Sequence, residues 1–308
     1  MSKHLLTLTA SLATAVTLLA APAANAQIAT PQASPKSVVM QRVGLTDVTI
    51  TYYRPSLKGR AAFGVKSPLA PLGERWRTGA NATTSIKFSD DVTVEGKKVP
   101  AGEYGIYTIP GKAEWTVVLN KNLKLGDNVE GFKTEEDVAS FKVKPYLLPS
   151  FVAPNVAAAG QGKVETFTID FSDLTPATAN VNMMWATTGA KFKIMADVDS
   201  KVMAQIDEKI TKNASPAAGD LAAAAVYYAD NNKDMKQAVA WMEKANGTDA
   251  KFWNLHSEAK MRLKMKDYTG ATKAAEASKK AALAATPPNT EYAKMNDELV
   301  AQAKKGGK

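Results

Sequence analysis

The segment VTVEGKKVPAGEYGIYTIPGKAEWTVVL, residues 92–119, decides the fold class of this chain. It contains four short runs of β-branched and aromatic residues, separated by turn residues at 95–96, 100–102 and 110–111. Residues of this kind, interrupted by glycine and proline at short intervals, are typical of strands joined by tight hairpins. Because a hairpin joins antiparallel neighbours, the segment predicts an antiparallel β-sheet.

The same pattern continues on both sides of this segment. Upstream runs lie at 37–43, 48–53 and 83–88, and downstream runs lie at 141–143, 165–171, 181–185 and 191–194. About ten short strands with regular turns indicate an antiparallel β-sandwich or a barrel. We therefore predict a β domain over residues 27–197. Residues 149–163 are rich in alanine, glycine and proline, and they predict an insertion before the last strands.

The second half of the chain follows a helical period. An apolar stripe at i, i+4 and i+8 consists of Val202, Ile206 and Ile210. Two self-similar segments follow at a separation of 33 residues, in which Ala238, Met242 and Ala245 match Ala271, Ala275 and Ser278. This is the spacing of tetratricopeptide repeats, and generic antiparallel helix hairpins are the alternative. The chain is therefore predicted to be an α+β multidomain protein, with an all-α, tetratricopeptide-like domain over residues 198–308.

The N-terminus has the pattern of a secretory signal. Lys3 and His4 precede an uncharged apolar stretch over residues 5–21, and Ala24-Asn25-Ala26 supplies a small-x-small cleavage site. We predict a signal peptide over residues 1–26, and an uncleaved membrane anchor is the alternative. After cleavage we expect a periplasmic or secreted bacterial protein without a transmembrane segment.

The composition removes several classes of chemistry. The chain has no cysteine, which excludes disulfides and thiolate sites, and only His256 remains after the signal. One histidine does not make the multi-histidine sites that zinc favours. The net charge of +9 is spread evenly over both halves and carries no nucleic-acid-binding motif, so we expect no nucleic-acid partner. We also expect no metal and no cofactor, and the sequence favours a non-enzymatic role.

A long irregular stretch, YYRPSLKGRAAFGVKSPLAPLGERWRTGAN at residues 52–81, joins two predicted strands. Loops of this length in compact domains are usually functional or disordered, and the aromatic and turn residues here argue against disorder. Its cations, Arg75 among them, could converge on an anion, because guanidinium groups bind carboxylate or phosphate through paired hydrogen bonds. An indole ring there could stack on a sugar. The predicted ligand-binding residues are Arg54, Lys58, Arg60, Trp76, Arg77 and Asn81. The alternative is that the arginines cap carbonyl groups and the tryptophan belongs to the core.

An ordered series of motifs carries a family resemblance. The motifs are YRPSLKGR (53–60), WRTGAN (76–81), PAGEY (100–104), EWTVVLNK (114–121) and ETFTIDF (165–171). Together they resemble the DUF2911 family of exported bacterial proteins, over roughly residues 33–195. The resemblance implies the β architecture and an exported location, and it transfers no catalytic residue. The helical part is similar to the tetratricopeptide extension of some members.

These observations lead to one preferred function and two alternatives. We expect a non-catalytic periplasmic binding or scaffold protein. Its β domain would recognise an anionic or sugar-like ligand through the loop, and its helical domain would bind a protein partner. The first alternative is a purely structural envelope-assembly module. The second is a carbohydrate-active enzyme that uses a pair of carboxylates. The candidates are Asp90 with Asp91 and Asp170 with Asp173, and the alternative is that these aspartates are turn residues.

Overall fold

The computed structural model describes residues 30–126, 129, 131–148 and 162–307. The predicted signal peptide at 1–26 lies outside the described residues, as does the predicted insertion at 149–163 except for its last two positions. Within the described ranges, antiparallel sheets form the first part of the chain and six α-helices form the second. The predicted α+β architecture is therefore confirmed.

The β part contains fourteen strands within the described residues. In chain order they are β1 (Lys36–Val43), β2 (Thr46–Tyr53), β3 (Phe63–Gly64), β4 (Ala70–Pro71), β5 (Ser85–Phe88), β6 (Val92–Val94), β7 (Lys97–Val99), β8 (Gly102–Ile109), β9 (Trp115–Asn120), β10 (Asp137–Val143), β11 (Tyr146–Leu147), β12 (Val164–Ser172), β13 (Thr178–Ala186) and β14 (Thr188–Ala196). The segment 92–119 forms β6 to β9, as its hairpin pattern predicts.

Two large sheets make a sandwich. The first has the strand order β1-β2-β5-β8-β9-β10, and the second has the order β12-β13-β14-β6-β7, with β11 added beside β14. All pairings within both sheets are antiparallel, whereas the two-residue strands β3 and β4 pair in parallel. Of the two architectures that the pattern allows, the structure therefore has the sandwich.

The core lies between the two sheets because each strand alternates. In β2, Val48, Ile50 and Tyr52 are buried and the residues between them are more exposed. Successive side chains of a strand point to opposite faces, so one face of each sheet can be apolar. Tyr52 packs edge-on against Phe167 of β12 with ring centroids 5.9 Å apart, which links the two sheets. Fully burying one such large side chain contributes about 1.5–3 kcal/mol.

The helical part follows directly on β14. It comprises α1 (Val198–Ile206), a π-helical turn (Asp207–Thr211), α2 (Ala218–Asp230), α3 (Met235–Thr248), α4 (Phe252–Lys264), α5 (Tyr268–Ala284) and α6 (Thr290–Gly306). Asp234 and Asp267 each begin a helix by accepting backbone N–H bonds with their side chains. An aspartate N-cap stabilises a helix by about 1 kcal/mol.

The helices form antiparallel hairpins, with α2 packed on α3, α4 on α5, and α6 on α5. The 33-residue repeat has a structural basis, because the repeated positions of α3 and α5 are equally buried. These positions are Ala238, Met242 and Ala245 in α3, and Ala271, Ala275 and Ser278 in α5. Small residues at such positions let neighbouring helices approach closely. The tetratricopeptide assignment itself stays a prediction, supported by the hairpins and their period.

Within the described ranges, the helices lack the combination of length and apolar character that spanning a bilayer would need.

Candidate functional site

The predicted ligand-binding loop is largely fastened to the sandwich. Arg54 donates from Nε to the Phe167 carbonyl at 3.1 Å and from Nη2 to Thr168 Oγ1 at 2.7 Å. Both acceptors lie on β12 of the second sheet, whereas Arg54 directly follows β2 of the first. The guanidinium therefore bridges the sheets through Nε and Nη2.

The next two cations of the loop, Lys58 and Arg60, differ in how their side chains are bonded. Arg60 donates from Nε to the Leu57 carbonyl at 3.0 Å and from Nη2 to the Ser56 carbonyl at 2.9 Å, so it closes its own turn. Lys58 is exposed, and its backbone N–H donates to Glu165 Oε1 at 2.8 Å. Its φ of 47° lies in the left-handed region, which is unusual for a lysine. The bonds of Arg54 and Arg60 to backbone carbonyl groups match the alternative in which arginines cap carbonyl groups.

Trp76 requires a correction. Its side chain is only 5% exposed, its Nε1 donates to the Gly79 carbonyl at 3.0 Å, and its ring stacks on Trp185. A ring closed on both faces by protein cannot stack on a sugar. The prediction was wrong here because an aromatic residue in an irregular loop gives no local sign of which way it points.

Two predicted residues are left. Asn81 is exposed, has a φ of 52°, and donates from Nδ2 to the Ser34 carbonyl at 3.2 Å. Arg77 is half-buried and directly follows Trp76 in the chain. Ligand binding by Lys58, Arg77 or Asn81 stays a prediction. These residues were expected to act together with Trp76, Arg54 and Arg60, but Trp76 is buried and both arginines bond to backbone carbonyl groups.

The carboxylates considered for hydrolysis are engaged locally. Asp90 pairs with Lys201 at 2.6 Å, and this hydrogen bond lowers the pKa of the carboxyl. Asp173 accepts from Lys191 at 2.9 Å and Asn180 at 2.6 Å, and these bonds lower its pKa to about 2. A glycosidase acid needs the opposite shift, toward neutral pH. Neither carboxylate is therefore suited to that role.

A groove in the helical part is the better candidate. The first helix of each hairpin, α2 and α4, and the last helix α6 line a cavity of about 450 Å³. The residues that matter for its chemistry are Val226, Ser257, Lys260, Met261, Leu299 and Gln302. On α4 these positions follow the i, i+3, i+4 spacing that places side chains on one face of a helix. The volume is within the usual range for ligand sites.

The groove combines an apolar floor with a charged lining that includes Lys260, Lys264 and Asp230. Met261 and Leu299 are 4% and 9% exposed and form the floor. Lys264 donates from Nζ to the Ala229 carbonyl at 3.0 Å, near the C-terminal end of α2, where a cation is favourable. Lys260 is exposed and has no hydrogen bond or ion pair within the described part of the chain. The rim can therefore offer an ammonium group to a bound anion.

The groove extends along α2. A second cavity of about 650 Å³ shares Val226 and Asp230 with the first and reaches Trp253 at the start of α4. Trp253 is 46% exposed, which is unusual for the largest apolar side chain. We define the helical groove as both cavities together, running from Trp253 to Gln302.

A charged cluster holds α4, one of the helices that line this groove, to α3 and α5. Arg262 of α4 bonds to Glu258 at 2.8 Å, to Asp267 at 2.6 Å and also to Glu243 of α3. Burial acts to lower the pKa of Arg262, but its hydrogen bonds to Glu258 and Asp267 outweigh it and raise the pKa overall. The cluster ties α3, α4 and the start of α5 together.

A buried polar chain joins α4 to α6. His256 Nδ1 lies 2.9 Å from Asn296 Oδ1, and Asn296 Nδ2 donates to Ser278 Oγ at 2.7 Å. The His256 ring also meets Tyr292 edge-on at 5.3 Å. The histidine is thus a packed helix residue.

The sequence signal that could have identified the groove is the spacing of Trp253, Ser257, Lys260 and Lys264 along one helix face.

Comparisons with known proteins identify the family of the β domain and give no information about an activity. The family described as "Protein of unknown function (DUF2911)" matches residues 34–194, more than half of the chain. The chain belongs to the DUF2911 family. The match covers the sandwich and ends before the helical groove. No curated protein and no solved structure shows a significant match.

Proposed function

We propose that this protein is a non-catalytic binding or scaffold protein of the bacterial periplasm, whose helical groove holds a segment of a protein partner. One observation carries the proposal: α2, α4 and α6 converge on a groove that has an apolar floor and an exposed lysine on its rim, Lys260, which has no ion pair among the described residues. Helix-lined grooves of this kind accept side chains that repeat along a bound segment.

The groove's chemistry suggests what the partner segment presents. Met261 supports contact with an irregular apolar side chain, because methionine is flexible and polarizable. Trp253 offers a large, half-exposed ring, the residue type most often found to anchor interfaces. Lys260 favours a carboxylate on the partner beside that apolar contact.

The β part serves in this proposal as a rigid platform. The bridge from Arg54 to β12 and the buried Trp76 support rigidity, and they also suit the alternative of a purely structural envelope module. The proposed binding protein and the structural module differ in whether a partner segment occupies the helical groove. Export follows from the signal-like N-terminus and is part of the same proposal.

Site-specific photo-crosslinking in cells tests the proposal. A photoreactive amino acid is placed at Ser257 or Gln302 in the groove, and at Glu276 on the exposed surface of α5 as the matched control. We expect one discrete adduct from the groove positions, none from position 276, and loss of the adduct when Lys260→Glu is added. Identical adducts from all three positions, or an adduct indifferent to Lys260→Glu, would leave only the structural module.

A further inference from the structure

The first strand of the first sheet has an unpaired edge. β1 forms one end of that sheet, and within the described residues its only strand partner is β2. The pairing runs without a break in register from Lys36 opposite Tyr53 to Val43 opposite Thr46. An unpaired strand edge presents a row of N–H and C=O groups to which another strand can bond.

The turn between β1 and β2 determines which backbone groups of β1 point away from the sheet. Residues 44–45 form a two-residue turn, and the two residues that flank such a turn bond to each other. Bonded and non-bonded pairs alternate along an antiparallel ladder, so Val39 and Gln41 bond to β2. The N–H and C=O groups of Val38 and Met40 point outward, and they have no hydrogen-bond partner among the described residues.

The contacts of β2 on its other side agree with this alternation. The Asp47 carbonyl accepts from the Ser89 N–H at 3.0 Å, so the backbone groups of Asp47 face away from β1. Arg42 lies opposite Asp47, and its own backbone groups therefore also point outward. Its carbonyl accepts from Gln41 Nε2 at 2.9 Å, which closes the end of the edge near the turn. The open part of the edge is thus centred on residues 38–40.

The edge strand of the second sheet, β12, is closed by comparison. The Phe167 N–H donates to the Pro55 carbonyl at 2.9 Å, and the Phe167 carbonyl accepts from Arg54 Nε. The Ile169 N–H donates to the Tyr52 hydroxyl at 3.0 Å, and this hydroxyl donates back to the Ile169 carbonyl at 3.2 Å. Side chains and loop backbone therefore cover the edge of β12, whereas the middle of β1 has no such cover among the described residues.

The side chains on the outer face of β1 form an apolar centre between two cations. Val38 and Met40 are 56% and 68% exposed, and both are among the most exposed large apolar residues of the described chain. Lys36 and Arg42 are exposed on the same face, because alternate residues of a strand share a face. Lys36 has no ion pair among the described residues, and the pair of Arg42 with Asp47 is long, at 3.7 Å, and exposed.

The charges disfavour a second copy of the chain as the occupant of this edge. In the antiparallel register that sets Val38 beside Met40 of a second copy, Lys36 comes opposite Arg42. Like charges directly opposite each other destabilise a strand pair. Each chain also carries a net charge of +9, so two copies repel. The same cations attract a strand that carries carboxylates at matching positions.

We propose that β1 binds an extended segment of a partner protein as an added strand, and that this segment has an apolar centre and acidic ends. Two apolar side chains of the segment pack on Val38 and Met40, and its carboxylates lie beside Lys36 and Arg42. Backbone hydrogen bonds to the open edge supply affinity, and the alternate side chains supply selectivity. This surface is separate from the helical groove and needs no occupant there.

Peptide binding to the intact chain tests this assignment. The probe is the fluorescently labelled peptide Glu-Thr-Val-Thr-Val-Thr-Glu with blocked ends, and the matched control carries lysine in place of both glutamates. Fluorescence anisotropy gives the two dissociation constants. We expect the acidic peptide to bind about tenfold or more tightly than the lysine peptide, because two attractive charges become repulsive.

Amide hydrogen exchange followed by NMR separates strand addition from a purely electrostatic contact. An added strand bonds to the outward N–H groups, so exchange at Val38 and Met40 should slow when the acidic peptide binds. Exchange at Val39 and Gln41 should stay unchanged, because their N–H groups already bond to β2.

A backbone variant tests the edge directly. Met40→Pro removes one outward N–H and keeps the ladder to β2, since proline is tolerated where the N–H of an edge strand faces solvent. Met40→Thr keeps the N–H and is the matched control. We expect Met40→Pro to weaken binding of the acidic peptide about tenfold or more, and Met40→Thr and Lys260→Glu to retain it. If thermal melting shows that Met40→Pro is unfolded, two peptides methylated on alternate sets of backbone nitrogens replace it, and only one of them should bind.

Several results would overturn the assignment. They are no binding of the acidic peptide, equal affinity for the two charge forms, equal binding by Met40→Pro and Met40→Thr, or binding of both methylated peptides. Slow exchange at Val38 and Met40 in the free chain would show that the edge is already covered. A dimer in sedimentation that Met40→Pro dissociates would assign the edge to a second copy instead.

Discussion

The indole of Trp76 stacks on the indole of Trp185, with ring centroids 5.7 Å apart and planes inclined by 14°. Trp76 lies in the long connection between β2 and β5, and Trp185 lies on β13 of the second sheet. The connection thus inserts a ring between the two layers, where Phe167 also packs against it at 5.0 Å. A segment with the composition of a binding loop completes the sandwich core.

Replacement of Trp76 should therefore destabilise the protein strongly. Trp76→Ala removes a buried ring and leaves a cavity, and we expect a loss of about 3–5 kcal/mol in the free energy of unfolding. Chemical denaturation followed by circular dichroism measures this loss. Trp253→Ala, at the half-exposed ring on α4, is the matched control and should cost much less. Equal losses would show that Trp76 does not hold the core.

The bridge from Arg54 should contribute to stability through its acceptors on β12. Arg54→Ala deletes two hydrogen bonds, and we expect a loss of about 1–3 kcal/mol. Arg42 offers a control, since its ion pair to Asp47 at 3.7 Å is exposed. Such surface pairs contribute at most about 1 kcal/mol. If Arg42→Ala costs as much as Arg54→Ala, the bridge has no special role.

The stability of the folded protein at acid pH should depend in part on the ionised carboxylate of Asp173. Hydrogen bonds from Lys191, Asn180 and Ser172 lower the pKa of Asp173 from 3.8 to about 2 in the folded protein. Because the folded pKa lies below the unfolded value, the stabilising contribution is complete above pH 3.8 and disappears as the pH falls toward 2. Asp173→Asn should therefore show a shallower decline of melting temperature over this interval. A decline as steep as that of the wild type would contradict the contribution.

The charged cluster around Arg262 should be needed for the helical groove. Arg262→Ala leaves the buried carboxylate of Glu258 and the half-buried carboxylate of Asp267 without their shared partner, and such a loss costs about 3–5 kcal/mol when the group is buried. Since Arg262 is still partly exposed, we expect the lower end of this range or less. Hydrogen exchange resolved by residue should show faster exchange in α4. Lys280→Ala on the exposed side of α5 is the control and should leave exchange unchanged.

Local pattern was enough to predict most of the strands and helices. The alternation of Val48, Ile50 and Tyr52 is visible in the sequence because a strand buries one face. The repeated small residues of α3 and α5 are visible because a helix hairpin needs close contact along one stripe. Both signals arise from neighbours along the chain.

The direction of the loop side chains could not be predicted in the same way. Whether Trp76 or Arg75 enters the core depends on the backbone pairing of Trp76 with Thr108. Thr108 lies 32 residues away in the sequence, and such a pairing produces no periodic pattern in the residues around Trp76. The helical groove was missed for a related reason. Its lining comes from three separate helices, and only the face of α4 carries a readable spacing.

The most direct test of the central claim uses the partner segment that crosslinking at Ser257 or Gln302 identifies. Its dissociation constant is measured by calorimetry with the wild-type chain, with Lys260→Glu in the groove and with Lys280→Glu on the exposed side of α5. We predict that Lys260→Glu weakens binding about tenfold or more, since an attractive charge becomes repulsive, and that Lys280→Glu leaves binding unchanged. Equal affinities for all three proteins would contradict recognition in the helical groove.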